Sequence, residues 1–479
     1  MRIWQKNWTR SSKHSRKNSR FLDRLLSYIV RVVVWLSGFA KPLSRWGFCH
    51  YEAYAEGQPL KILLVGYNGA RNTGADARVV ALTRQLKEAL GAMKTELTVM
   101  TLDKDDVGGY FPKQVHLLPF TTFFIFSLLR ACSRHHVAIL CEGSTLTPTF
   151  ADALCVFFCE AAGIMRRQGK PCIAYGSEVG RLDGWLAKLS SDLCRDTYFI
   201  VRTEESLRHL QSLGLRGHVG TDTAWTFQNS EGEAWARQRL MEAGWDGRQP
   251  LMGVAPINPF CWPVRPSLWR WLKAQVTRDF SRQYDKFYFF NDSAERRQQF
   301  ECYLQSLAAA TNRYSHEHGA FVVILGMERL DAGACERLEQ RIESKHVVCT
   351  SKTYDVFQMT GLLRHLSVLL TSRYHASVLS MERAIPIVAV SIDGRLNGLM
   401  SEVELADRYL HHTSDANLEN KIMCSLRMAD EHEQEIKDIL QRHLTVYKNK
   451  TMAMSQFFVT WLKEQFSLQE LQDCSAQRS

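Results

Sequence analysis

The chain has 479 residues, 45% hydrophobic and 23% charged; it is too long for one ordinary core and of ordinary globular composition, so two or three domains are expected. Its formal charge of +10 is concentrated: residues 1–45 hold eleven Lys/Arg against the single acid Asp23, leaving 49 residues of each sign beyond them. A balanced body argues against nucleic acid as a partner, whereas a basic arm suits an anionic membrane.

The arm comes first. Residues 1–20 carry seven basic groups and no acid. FLDRLLSYIVRVVVWLSGFA (21–40) then sets Leu22, Leu25, Leu26, Ile29, Val32, Val33 and Leu36 on one helical stripe. Arg24, Ser27 and Arg31 fall opposite. Arg31 keeps the apolar run short of the roughly 20 residues needed to span a bilayer, and no A-x-A-like cleavage site follows. The expectation is an amphipathic helix on an anionic membrane surface, making the protein cytoplasmic and peripheral at the cytoplasmic face. A helix docked on the body and an organelle transit peptide are the alternatives.

From residue 60 short apolar runs alternate with helical patterns. KILLVGY (61–67), VAILCEG (137–143), CIAYGSE (172–178), YFIVRT (198–203) and HVGTDTA (218–224) read as strands. QNSEGEAWARQRLMEAGWDGRQP (228–250) is polar and strand-free. LMGVAPI (251–257), KFYFFN (286–291), FVVILGM (321–327), HVVCTS (346–351), LSVLLTS (366–372) and IPIVAVSI (385–392) form a second series. FFVTWLKEQF (457–466) reads as a packing helix with Phe458, Trp461, Leu462 and Phe466 on one face. The fold class is α/β: two tandem Rossmann-like domains with a central cleft, preceded by the basic amphipathic helix. The divisions expected are arm and helix 1–59, N-terminal domain 60–228, linker 229–250, C-terminal domain 251–446, and C-terminal helix and tail 447–479.

Ligands of open parallel sheets bind beyond the carboxyl ends of the strands. That rule selects GYNGARNTG after the first strand, with Asn68, Gly69, Arg71, Asn72 and Gly74 as candidate binding residues. Its glycines admit a ligand close to backbone, but it is neither GxGxxG nor a P-loop. The same rule selects Glu142, Gly143 and Ser144 after VAILC and Gly176 after CIAY. It also places Arg202, Arg373, His375 and Arg395 at strand ends. Arginine forks match phosphate and carboxylate, so these cations point to a small anionic substrate; histidine suits proton transfer near neutral pH. In LLTSRYHASVLS, Ser372 is expected to cap the helix that begins beside Arg373 and His375.

Other chemistries find little support. The thirteen cysteines are scattered without a CxxC pair, and neither His135-His136 nor His316-Glu317-His318 has zinc-site spacing. DKDD (103–106) reads as a solvated turn in preference to a metal site. No GxSxG elbow is present.

Taken in order, GYNGARNTGAD, CEGSTL, GKPCIAYGSEVGRL, VRTEESLRHLQSLGL with GTDTAWTF, and TSRYHASVLSMERAIPIVAVSID resemble the polysaccharide pyruvyl transferase family over roughly residues 60–445. The resemblance implies a GT-B-like fold. It implies transfer of a pyruvyl group from phosphoenolpyruvate to a sugar of a cell-surface polysaccharide, or to its lipid-linked precursor, as a cyclic ketal. Phosphoenolpyruvate is then the donor substrate, and neither a cofactor nor a metal is called for. Arg202 matches the family's RxE arginine, and Asp222, in GTDTAWTF, stands in its D-x-A piece and is a further candidate binding residue. Arg373 and His375 match its R-x-H motif. Arg395 stands where a basic residue often follows the S-x-D strand end. Asp76 sits in NTGADARV where a G-D-E type sequence is common, and Ile385 replaces a common glycine. A GT-B-like glycosyltransferase using a nucleotide-sugar donor and a non-catalytic scaffold of polysaccharide assembly are the competing readings.

Overall fold

The protein is described by a computed structural model covering residues 15–467, apart from 48–49, 121–123, 149–150, 230, 263, 279–282, 286–287 and 292. The basic tail over residues 1–14 lies outside the described residues, as do residues 286–287 of the run read as KFYFFN.

Uninterrupted apolar runs build two parallel sheets, because crossover helices bury both faces of such strands. The first sheet comprises β1 (Leu60–Asn68), β2 (Thr95–Thr101), β3 (Val115–Pro119), β4 (Val137–Leu140), β5 (Cys172–Ser177), β6 (Tyr198–Val201) and β7 (Arg216–Val219). Its order is β3-β2-β1-β4-β5-β6-β7. After β8 (Leu251–Ala255), a small antiparallel sheet joins β9 (Arg265–Pro266), β10 (Gln283–Asp285) and β11 (Tyr288–Phe289). The second large sheet adds β12 (Phe321–Gly326), β13 (His346–Thr350), β14 (Val368–Thr371), β15 (Ile387–Ser391) and β16 (Leu410–His412) to β8, in the order β13-β12-β8-β14-β15-β16. Every pairing in both large sheets is parallel. Both therefore reverse strand order beside their first strand, at β1/β4 and at β8/β14, and a crevice opens at such a switch point.

Three expectations change. The 286–291 run supplies β11 of the small sheet and no strand of the second large sheet; its pairing with Arg265–Pro266 is only two residues long. β7 ends at Val219, and residues 223–226 form a 3₁₀ turn capped by Asp222. β2, β3 and β16 were not evident in the sequence. The 229–250 segment is strand-free as read, but carries a helix, Glu231–Glu242.

The helix Glu433–Phe466 runs unbroken across residue 446. Ile436, Leu440 and Leu444 pack in the core that contains β8 and β12, whereas Met454, Phe458, Trp461 and Leu462 pack with Leu60, Ile62 and Leu64 of β1. Between these segments Tyr447 stacks on Trp225 with ring centroids 4.2 Å apart. One helix thus fastens both domains.

At the other end, the helix Ser15–Ser37 lies on the N-terminal domain through Val30, Val34 and Leu26, and Arg31 forms an ion pair with Asp192. The docked alternative holds for this face. Among the described residues no helix is long and apolar enough to cross a membrane.

Candidate functional site

The end of β1 turns sharply. Gly69 has φ +75°, and a Cβ there would lie 2.3 Å from Thr101 Oγ1, so only glycine fits. Asn72 then caps the helix Thr73–Leu90, its Oδ1 accepting from the N–H groups of Gly74 and Ala75, both at 3.1 Å. The loop docks on the second domain. Thr73 N–H donates to Met327 O (2.9 Å) and Arg329 N–H donates to Arg71 O (2.9 Å). Arg71 Nε bonds Asp106 Oδ1 at 2.7 Å, so this side chain holds the loop in place. Asn68 Nδ2 is likewise committed, to Met100 O at 3.0 Å.

The central acid is Asp222, fully buried below the domain junction. Its Oδ1 accepts Ala224 N–H at 2.9 Å, and its Oδ2 takes both Arg78 and Arg202, the latter at 2.8 Å. Burial alone would raise this carboxyl, but Arg78, His375 and Arg202 together hold it well below the usual carboxylate range. Arg78, reached from the Thr73–Leu90 helix, also donates to Gly176 O at 2.8 Å. Gly176 takes φ +64°, with Thr221 O only 2.9 Å from where a Cβ would sit. Arg202 bridges further to Glu178 Oε2 at 2.5 Å and lies over the Tyr374 ring, 5.1 Å from its centroid. Gly143 lines this cluster, since a Cβ there would stand 3.4 Å from Arg202 Nη1. Glu142 accepts the N–H groups of Tyr67 and Ser144, both at 3.4 Å.

From the second domain, β14 delivers Arg373 and His375 to the same junction. His375 Nε2 approaches Asp222 Oδ2 at 3.6 Å, and a Cβ on Gly74 would fall 2.1 Å from His375 Nδ1. The two halves of the site therefore meet, with the imidazole against the start of the Thr73–Leu90 helix. Burial pushes the His375 pKa down to about 4, against the pull of Asp222, so the ring is neutral at neutral pH. Its Nε2 is buried without a hydrogen-bond partner, as is Arg373 Nε. Arg373 points aside, with Nη2 on Asp331 and, at 3.0 Å, on Glu328 Oε2. Burial raises Asp331 to about 6, aided by Glu328 and opposed by Arg373. Arg395 bonds Asp393, with Nη2 2.5 Å from Oδ2, and feels the charges of Glu178 and Arg202.

Ser372 is not the cap expected. Arg373 occupies the cap position of the helix Tyr374–Ser380 without a side-chain cap, and Ser372 Oγ lies 2.8 Å from Tyr303 Oη. The backbone turns one residue later because Thr371 Oγ1 already accepts Arg373 N–H at 2.9 Å.

Four residues that shape this cluster were missed in the sequence: Arg78, Glu178, Glu328 and Asp331. Arg78 carried a signal. It lies on the face of Ala75, Val79 and Leu82, where a solvent-seeking arginine is out of place unless it is paired. A separate cavity of about 1000 Å³ lies between this helix and the Lys448–Thr460 stretch of the last helix, and none of the candidate residues line it.

The Polysaccharide pyruvyl transferase family model matches residues 72–394, a span holding Gly74, Arg78, Arg202, Asp222, Arg373 and His375. No curated protein matches the chain. Solved structures do. The S. aureus MnaA–UDP co-structure is 10% identical, covers 86% of this chain and 98% of that one, and has a TM-score of 0.55. UDP-GlcNAc 2-epimerase from Neisseria meningitidis, bound to UDP-GlcNAc, is 9% identical with coverage of 85% and 100% and a TM-score of 0.51. Anabaena Alr3699/HepE in complex with UDP-glucose is 10% identical with the same coverage and TM-score. At such identities the likeness is one of fold: two parallel-sheet α/β domains of GT-B type.

Proposed function

The chain belongs to the polysaccharide pyruvyl transferase family, and on that premise we propose that it transfers the pyruvyl group of phosphoenolpyruvate to two hydroxyls of a polysaccharide sugar or its lipid-linked precursor. The observation that carries this reading is the meeting of His375 with Asp222 and Arg202 across the domain junction.

Phosphoenolpyruvate brings a phosphate and a carboxylate, and Arg202, Arg373 and Arg395 are the cations at the strand ends that would clamp them. Each is now paired with an acid. The donor's anions would take over part of those pairings, as bidentate forks favour. As the oxygen of the first sugar hydroxyl bonds to C2, the C2=C3 π pair opens onto C3 and takes a proton there in the same step. Neutral His375 accepts the hydroxyl proton and relays a proton to C3, and Asp222, which stays ionised, stabilises the imidazolium while the proton is in transit. The second hydroxyl then forms its bond to C2 while the C2–O bond to phosphate breaks. Phosphate leaves with that hydroxyl's proton. The products are one ketal and one inorganic phosphate.

Mass spectrometry of surface glycans from cells with and without the gene tests this. Loss of one ketal-linked pyruvate per repeat is expected. An unchanged glycan pyruvate content with a lost sugar would instead make the protein a glycosyltransferase.

A further inference from the structure

We propose that the outward face of residues 25–46, with Phe126 beside it, is a bilayer-interface surface that seats the protein on anionic phospholipid. The Ser15–Ser37 helix is apolar on two adjacent faces. One is spent on the body through Val30, Val34 and Ser37. The other carries Tyr28 (67% exposed), Ile29, Val32, Trp35 (54%) and Leu36, and the following short helix ends at Trp46 (79%). Of the fifteen large hydrophobic side chains exposed among the described residues, nine fall between Leu25 and Trp46. Phe126, 74% exposed, is carried by the neighbouring helix Phe124–Arg134. A concentration of this kind marks a surface with a partner.

Charge identifies the partner. Asp23 is the single acid in residues 1–51, and besides Arg31, which is paired with Asp192 on the body, residues 24–51 contain Arg24, Lys41 and Arg45. Residues 1–14 add Arg2, Lys6, Arg10 and Lys13, again without an acid, and join the helix at its start. A second copy of this chain would set like charges against each other. An anionic lipid surface complements them, and Trp and Tyr on an amphipathic helix are the residues that settle at the headgroup boundary.

The helix also has a direction. Val34 packs on Gly163 and Gly38 lies by Arg167, so it runs parallel to the helix Asp152–Arg167. That helix follows the Glu142–Ser144 loop at the cleft end of the sheet. The start of the amphipathic helix therefore points the same way as the cleft. Presentation of the cleft to a lipid-linked acceptor rests on the pyruvyl-transfer reading; binding to the bilayer does not.

The test is co-sedimentation of the full chain with vesicles of phosphatidylcholine alone or mixed with phosphatidylglycerol, which reads no turnover. The wild type is expected to pellet with the anionic vesicles and far less with the neutral ones. The double substitution Val32→Asp, Trp35→Asp lies on the outward face, so the fold should persist by circular dichroism. Its binding should fall about tenfold or more, the order expected for removing two apolar side chains from an interface. The proposal is overturned if the wild type stays in the supernatant with both vesicles, or if the double variant sediments like the wild type. It is equally overturned if light scattering shows a wild-type dimer that the double variant breaks into monomers.

Discussion

His375 and Asp76 show how much one buried group can decide. His375 is held neutral by burial and lies beside an acid that its neighbours keep ionised. His375→Gln removes the titrating ring and keeps a similar volume. Incorporation of labelled pyruvate into membrane glycans should fall by about 10²–10⁴, whereas protection of the variant by phosphoenolpyruvate should persist. Loss of protection with normal incorporation would reverse those roles. Asp76 tests the fold through pH. Its carboxyl is fully buried and raised to about 7 by that burial, with Asp106 and Glu142 adding to the effect and Gly69 N–H and Arg71 opposing it. A carboxyl raised in the folded state contributes stability that is present below its unfolded value of 3.8 and lost as pH climbs through about 7. Asp76→Asn should therefore be stabilising relative to wild type at pH 8 and not at pH 4, read as the difference in Tm. Sequence made Arg202, Arg373 and His375 legible because their motifs are local. It also offered Asp222, the acid that Arg202 and His375 share, but not Glu178, Glu328 and Asp331, which reach the arginines only through the fold.

Secondary elements were legible in proportion to their burial. β1, β5, β8, β12 and β15 are continuous apolar runs and stand close to where they were read. β3 and β16 are edge strands with polar or half-exposed residues, and β2 interleaves threonine and glutamate, so no apolar run announced them. The last helix was legible as a packing element, but its reach was not: a helical stripe says that a face is buried without saying against which domain. Phe458 sits wholly buried between that helix and the first sheet, edge-on to Tyr175 at 6.1 Å. Phe458→Ala should cost about 3–5 kcal/mol, measured by urea denaturation. A loss under 1 kcal/mol would mean the helix does not fasten the N-terminal domain.

For the whole molecule, the two-domain α/β plan followed from strand–helix alternation, and its cleft from the switch points of both sheets. What the pattern left open was whether the two walls touch. They do, through Gly74 against His375, through Asp222 below both, and through the Arg71 and Thr73 backbone on the second domain. A donor held between these walls stabilises the folded chain by mass action, by about 2.7 kcal/mol at a hundred times its Kd. Thermal unfolding of the full chain with phosphoenolpyruvate, and separately with UDP-GlcNAc, therefore bears most directly on the donor. A rise in Tm of several degrees with phosphoenolpyruvate and none with UDP-GlcNAc is expected; protection by UDP-GlcNAc and none by phosphoenolpyruvate would contradict pyruvyl transfer.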